Sequence, residues 1–84
     1  MVTLHIIYLR QGGTLLSRKA YECWRDIQAE FADYMASLGP WTEDEVVAFL
    51  ADEYPDLRPA AAEQVRALVD GGAEQARLTW REPR

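Results

Sequence analysis

The chain has 84 residues, 49% of them hydrophobic and 11% aromatic, with one cysteine and a formal net charge of −5. That length and apolar content describe one small globular domain, residues 1–84, and exclude a disordered acidic tail. A lone Cys23 excludes an internal disulfide and points to a reducing compartment.

The charge is unevenly placed. Residues 1–40 carry four bases (Arg10, Arg18, Lys19, Arg25) and four acids (Glu22, Asp26, Glu30, Asp33), whereas residues 41–84 carry ten acids and five arginines, net −5. The preference for Arg over Lys and the abundant Ala suit high-GC coding, as in many bacteria and their phages.

In chain order, Val2–Leu9 is rich in β-branched residues, with Val2, Leu4, Ile6 and Tyr8 on one face and His5 on the other, and is predicted as a strand. Its opening lacks a basic segment and its apolar run is too short for a signal peptide, so the expected location is cytoplasmic. Gln11-Gly12-Gly13 signals a turn. Thr14–Leu16 leaves open a short return strand, and Ser17 suits an N-cap.

From Arg18 to Leu38 the spacing predicts a long helix. Cys23, Tyr34, Ile27, Ala20, Leu38, Phe31, Trp24, Met35 and Tyr21 gather on one arc, spanning about half the circumference, enough to pack on two neighbours. Gly39-Pro40 reads as its stop. Thr42 with Glu45 forms a capping box, and Trp41 with Val46 a hydrophobic staple, opening a second helix that turns Val46, Val47, Phe49, Leu50 and Tyr54 inward and stops at Pro55. A third helix begins near Pro59, buries Ala61, Val65, Leu68 and Val69, and ends at Gly71-Gly72. Gln75–Trp80 alternates again, as a last strand able to pair with the first. The expected fold is α+β and helix-rich, in the order β(β)-α-α-α-β, with the long first helix packed on a small antiparallel sheet.

A helix–helix–strand run after a longer helix resembles winged-helix modules. "AYECWRDI" (20–27), "WTEDEVVAFLADEYPD" (41–56) and "AAEQVRALVDGG" (61–72) are also similar in hydrophobic spacing, and in the "EYPD" turn, to the small PqqD-like domains that hold leader peptides during peptide maturation. The resemblance covers roughly residues 14–72 and implies a peptide-binding or assembly adaptor. The long first helix and the C-terminal strand depart from that pattern, and no site is transferred.

Chemistry is sparsely provided for. His5 is the only histidine, so any triad or Cys–His pair would have to use it; the expectation is a partly exposed strand histidine and a buried core Cys23. Neither a metal site nor a cofactor site follows from one His and one Cys. Glu43–Glu45 at a helix start offset the macrodipole. An enzyme is not expected.

Between Trp41 and Gly72 lie eight acids (Glu43, Asp44, Glu45, Asp52, Glu53, Asp56, Glu63, Asp70) against Arg58 and Arg66, net −6. DNA binding needs clustered Lys or Arg, so direct DNA binding is not expected; Arg77, Arg81 and Arg84 are too few and too spaced to change that. Nor does any segment suit a membrane. What remains is a small acidic protein that works through a surface. The expected partner is another protein, such as a basic nucleic-acid-binding one whose groove is masked, as in an inhibitor or regulator encoded by a phage or mobile element. Anti-CRISPR proteins are similar in size and charge. The partner-binding residues on this reading are Glu43, Asp44, Glu45, Asp52, Glu53 and Asp56, with Tyr21 and Tyr34 at the borders of the first helix. The alternative is the adaptor, binding a peptide or a second copy of itself through apolar and aromatic contacts.

Overall fold

The computed structural model describes residues 3–10 and 12–80; Val2, Gln11, Arg81 and Arg84 lie outside these. The described residues form β1 (Thr3–Leu9), β2 (Thr14–Ser17), α1 (Trp24–Glu30), β3 (Tyr34–Thr42), α2 (Glu43–Glu53), α3 (Ala61–Gly71) and β4 (Gln75–Arg77). The fold is α+β, built on an antiparallel sheet in the order β3-β1-β2-β4. Among the described residues no helix is long and apolar enough to cross a membrane.

β1 organises both sides of the sheet. Leu4 and Ile6 join Leu16 of β2 in the larger cluster, completed by Val46 and Leu50 of α2, Leu57, then Ala61, Val65 and Leu68 of α3, and Leu78. Ile7 and Leu9 face the other way and meet Leu15 and Ile27 of α1. A strand buried on both faces carries an almost unbroken apolar run, as Leu4–Leu9 does apart from His5. The return strand left open by the sequence is present: β2 pairs from His5↔Ser17 to Tyr8↔Thr14.

The long helix over residues 18–38 is not formed, and the fold is not helix-rich. Only Trp24–Glu30 is helical there, and Tyr34–Thr42 is the edge strand β3. The reason is the second edge of β1. With both faces covered, its backbone N–H and C=O groups are shielded from water and need strand partners on both sides; β2 supplies one and residues 34–42 the other. Helical periodicity in this segment yields to that demand. Trp24 and Met35, expected on the apolar arc, are 53% and 57% exposed. The longer helix behind the winged-helix resemblance is therefore missing. Ser17 caps no helix; it ends β2, fully buried, and its Oγ accepts from the Lys19 N–H.

Gly39-Pro40 stops no helix either. It forms a bulge: pairing runs from Leu4↔Trp41 to Ile6↔Leu38, so β3 spends one residue more than β1 opposite His5. A proline there is tolerated because β3 is an edge strand. Gly39 has φ +120°, and a Cβ on it would stand 2.7 Å from the Leu4 carbonyl oxygen and 3.2 Å from the His5 Cα.

The second half follows its local signals closely. The Thr42 Oγ1 accepts from the Glu45 N–H (3.2 Å) and the Glu45 carboxylate accepts from the Thr42 N–H (2.9 Å), the predicted capping box. Trp41 sets its ring edge-on against Phe49 (5.3 Å between centroids), two turns along. α3 starts at Ala61 rather than Pro59, and the Gln64 carboxamide ties its first turn to the Pro59 and Thr79 carbonyls and the Thr79 N–H. Gly72, in the left-handed region, ends it. β4 pairs with β2, not β1, because both edges of β1 are already taken. Trp80 continues past it to a bridge with Leu57.

Gly39→Ala is expected to destabilise the protein by about 2–4 kcal/mol, through the positive φ and the close Leu4 carbonyl. Gly71→Ala, with open space around its Cβ and a helical backbone, is expected to stabilise by about 0.5–1 kcal/mol. Urea denaturation of both variants checks the pair; equal effects would contradict the bulge.

Candidate functional site

The six acids proposed from sequence separate by role. In α2, Val46 and Leu50 point inward one turn apart, which leaves Asp44 and Asp52 on the solvent side. Glu53 ends the helix exposed, and Asp56 is exposed in the turn beyond. Two of the six are engaged within the chain. Glu43 pairs with Arg66 across to α3 (2.8 Å), and Glu45 is held in the capping box. Arg66 also approaches Asp70 (3.7 Å), while Arg58 donates to the Leu57 carbonyl. Among the described residues, Asp44, Asp52, Glu53 and Asp56 form no ion pair. Glu53 contributes to raising the Tyr8 hydroxyl far above its ordinary value, behind burial and the bond from Tyr54.

Tyr21 and Tyr34 are on the other side of the sheet and do not join these acids. Both are half-buried over the smaller cluster with Phe31. The Tyr21 hydroxyl lies 3.3 Å from Ser17 Oγ, donates to Glu30 (3.1 Å) and accepts from Gln75 Nε2 (3.3 Å). Glu30 also accepts from Lys19 and Gln75. The bond from Lys19 holds the Glu30 carboxyl below its usual range, and Glu30 raises the lysine. Tyr34 shares a 3.0 Å hydrogen bond with Ser37.

The same face holds a feature that sequence reading set aside. His5 is 6% exposed and Cys23 is exposed, the reverse of the expectation. Inward alternation from Ile7 buries the imidazole against the edge of the Tyr21 ring (centroids 5.1 Å apart), whereas the absence of the long helix leaves Cys23 at the start of short α1. Both line one recess of about 310 Å3, with Tyr21, Trp24, Ser37 and Gly39. His5 Nδ1 is buried without a hydrogen-bond partner among the described residues. In sequence Gly39-Pro40 reads as a helix stop, and its place opposite His5 follows only from the pairing of β3 with β1. No group of three or more His, Cys, Asp or Glu among the described residues is placed to hold a metal ion.

Burial lowers the His5 pKa below its ordinary 6.5. The unfolded chain therefore binds the proton first as pH falls, and stability contributed by the neutral buried ring is present above pH 6.5 and declines below it. In His5→Gln that decline should disappear. Urea midpoints at pH 7.5 and 5.5 for both proteins check this; an equal drop in the variant would show that another group is responsible.

No family model, no curated protein and no solved structure matches the chain.

Proposed function

We propose that the protein is a small, non-enzymatic regulator or inhibitor that binds another protein and masks a basic surface on it, such as the groove of a nucleic-acid-binding protein. The observation that carries this reading is the outer side of α2. The helix holds five acids and no base, and Asp44, Asp52 and Glu53, with Asp56 just beyond, present carboxylates that no described base neutralises. Such a surface raises the local concentration of a cationic partner and speeds encounter. It would repel a phosphate backbone, so nucleic acid is not the partner. The setting that suits such a protein is the cytoplasm of a bacterium or a phage-infected cell. What supports the non-enzymatic reading is that His5 Nδ1 forms no hydrogen bond to a carboxylate among the described residues, the contact that would orient it as a base.

A second reading, an adaptor that binds a peptide or a second copy through apolar contacts, is favoured by one observation. Trp24 and Met35 are large apolar side chains left over half exposed on α1 and the edge strand β3.

The partner recovered from host lysate on the immobilised protein at low salt supplies the test. Charge reversal at Asp52 and Glu53 (D52K/E53K) is expected to slow association about tenfold and to flatten its salt dependence in surface plasmon resonance, with folding retained. An unchanged rate and slope would remove the acidic mechanism. Loss of binding in Trp24→Ala, with no salt effect, would favour the adaptor. A mixed-sequence DNA duplex at low salt should stay unshifted at micromolar protein.

A further inference from the structure

We propose that the outer edge of β4, with the recess between it and α3, takes an extended segment of a partner protein as an added antiparallel strand. The segment carries one aliphatic side chain and, two residues before it, a Lys or Arg.

The edge is the first observation. β4 lies at the end of the sheet and pairs with β2 alone. The Arg18 N–H donates to the Glu74 carbonyl, and the Leu78 N–H donates to the Thr14 carbonyl. Hydrogen-bonded and non-bonded pairs alternate in an antiparallel ladder. Glu74, Ala76 and Leu78 therefore turn their backbone groups to β2, and the N–H and C=O groups of Gln75 and Arg77 point outward along the edge. The opposite edge, β3, is interrupted by its bulge and by Pro40. β4 has neither device, and its three residues limit an added strand to two pairing positions.

The next outward position already shows how this edge is read. Gln64 Oε1 accepts from the Thr79 N–H (3.0 Å), and Gln64 Nε2 donates to the Thr79 carbonyl (2.9 Å). A residue of a neighbouring antiparallel strand makes the same pair of bonds. The carboxamide closes the edge at Thr79 and leaves Gln75 and Arg77 open.

The recess supplies the side-chain contact. It holds about 290 Å3, with apolar walls from Leu16, Ala67, Leu68, Ala76 and Leu78. Residues opposite one another in a ladder share a face. The added residue opposite Ala76 thus points into the recess, whose size suits one Leu or Ile side chain. Two residues earlier, opposite Leu78, the side chain runs past Gln64 to Glu63, which lines the recess and forms no ion pair among the described residues. Arg77 is also in the lining, but its side chain stands on the Leu15 face, against Gly13 and away from α3. Arg18, at the other end of β4, directs its Nη1 to the Val69 carbonyl. At the Thr79 end the occupant meets the charge of Glu63, which a basic side chain complements.

This groove uses no acid of α2, so it goes beyond the surface-masking reading and does not rest on it. The probe is the peptide acetyl-Ser-Lys-Thr-Leu-Thr-Ser-amide, titrated into the 15N-labelled whole chain. Saturable amide shifts are expected at Gln75, Arg77 and Ala67, with a dissociation constant on the order of hundreds of micromolar. Amide exchange at Gln75 and Arg77 should slow on binding. Methylation of the peptide nitrogen of the first threonine, which pairs with Arg77, should weaken binding about tenfold. Replacing the peptide's leucine by aspartate should do the same, and its lysine by glutamate several-fold. Ala67→Phe, at an exposed helix position, should keep the fold and block the recess. Shifts confined to α2, equal binding of the methylated peptide, or binding untouched by Ala67→Phe would each overturn the proposal. So would shifts at Gln75 and Arg77 that follow protein concentration without peptide, the mark of a second copy on this edge. The charge-reversal test reads a different surface, so the two proposals can fail separately.

Discussion

β1 is buried on both faces, and its two edges must both be hydrogen-bonded. Leu4 and Ile6 go to the larger cluster and Ile7 and Leu9 to the smaller one, so no side of the strand is left to water. A peptide group shielded in this way and unpaired costs on the order of 1–3 kcal/mol. β2 arrives through the hairpin and covers one edge. The other edge is satisfied only by recruiting residues 34–42, and from that recruitment follow the short α1, the bulge at Gly39 and the place of β4 at the far side of the sheet.

The sheet then separates two chemically different surfaces. On one side α2 and α3 bury a continuous apolar core and turn their acids outward, with one neutralising arginine, Arg66, set between Glu43 and Asp70. On the other side a smaller cluster leaves room for polar side chains. Ser17, Tyr21, Glu30, Gln75 and Lys19 form one hydrogen-bonded group there, holding the 18–30 segment against the sheet where helix packing alone would be too small to do so. The two sides differ in charge rather than in shape: acids gather on the first, and a recess opens on each, about 290 Å3 between α3 and β4 and about 310 Å3 beside His5.

The bulge links the frame to the recess. An extra residue in β3 opposite His5 brings the Gly39 backbone close over the imidazole, and only a residue without a Cβ fits against the Leu4 carbonyl and the His5 Cα. A regular β3 would carry a side chain in that position. The recess is thus a by-product of how the edge strand accommodates Gly39-Pro40, and β3 is at the same time blunted as an open edge by the irregularity.

Much of the second half was legible in sequence because its signals are local. The Thr42/Glu45 capping box, the stop at Gly72, the inward Val46 and Leu50, and the acidity of α2 depend on residues within a turn or two of each other, and local hydrogen bonds and periodicity decide them. Strand β1 and the glycine turn were legible for the same reason, whereas the return strand β2 was left open and is decided by its pairing with β1. The long helix was not, because Arg18–Leu38 has good helical spacing by itself and nothing within the segment reveals that a distant strand lacks a partner. The burial of His5, the exposure of Cys23, Trp24 and Met35, and the separation of Tyr21 and Tyr34 from the acids all descend from that one non-local choice. Sequence by itself determined the composition of the surfaces and the helices α2 and α3; the tertiary structure decided which residues share a face, because strand pairing is a contract between segments far apart in the chain and is settled only when the whole sheet forms.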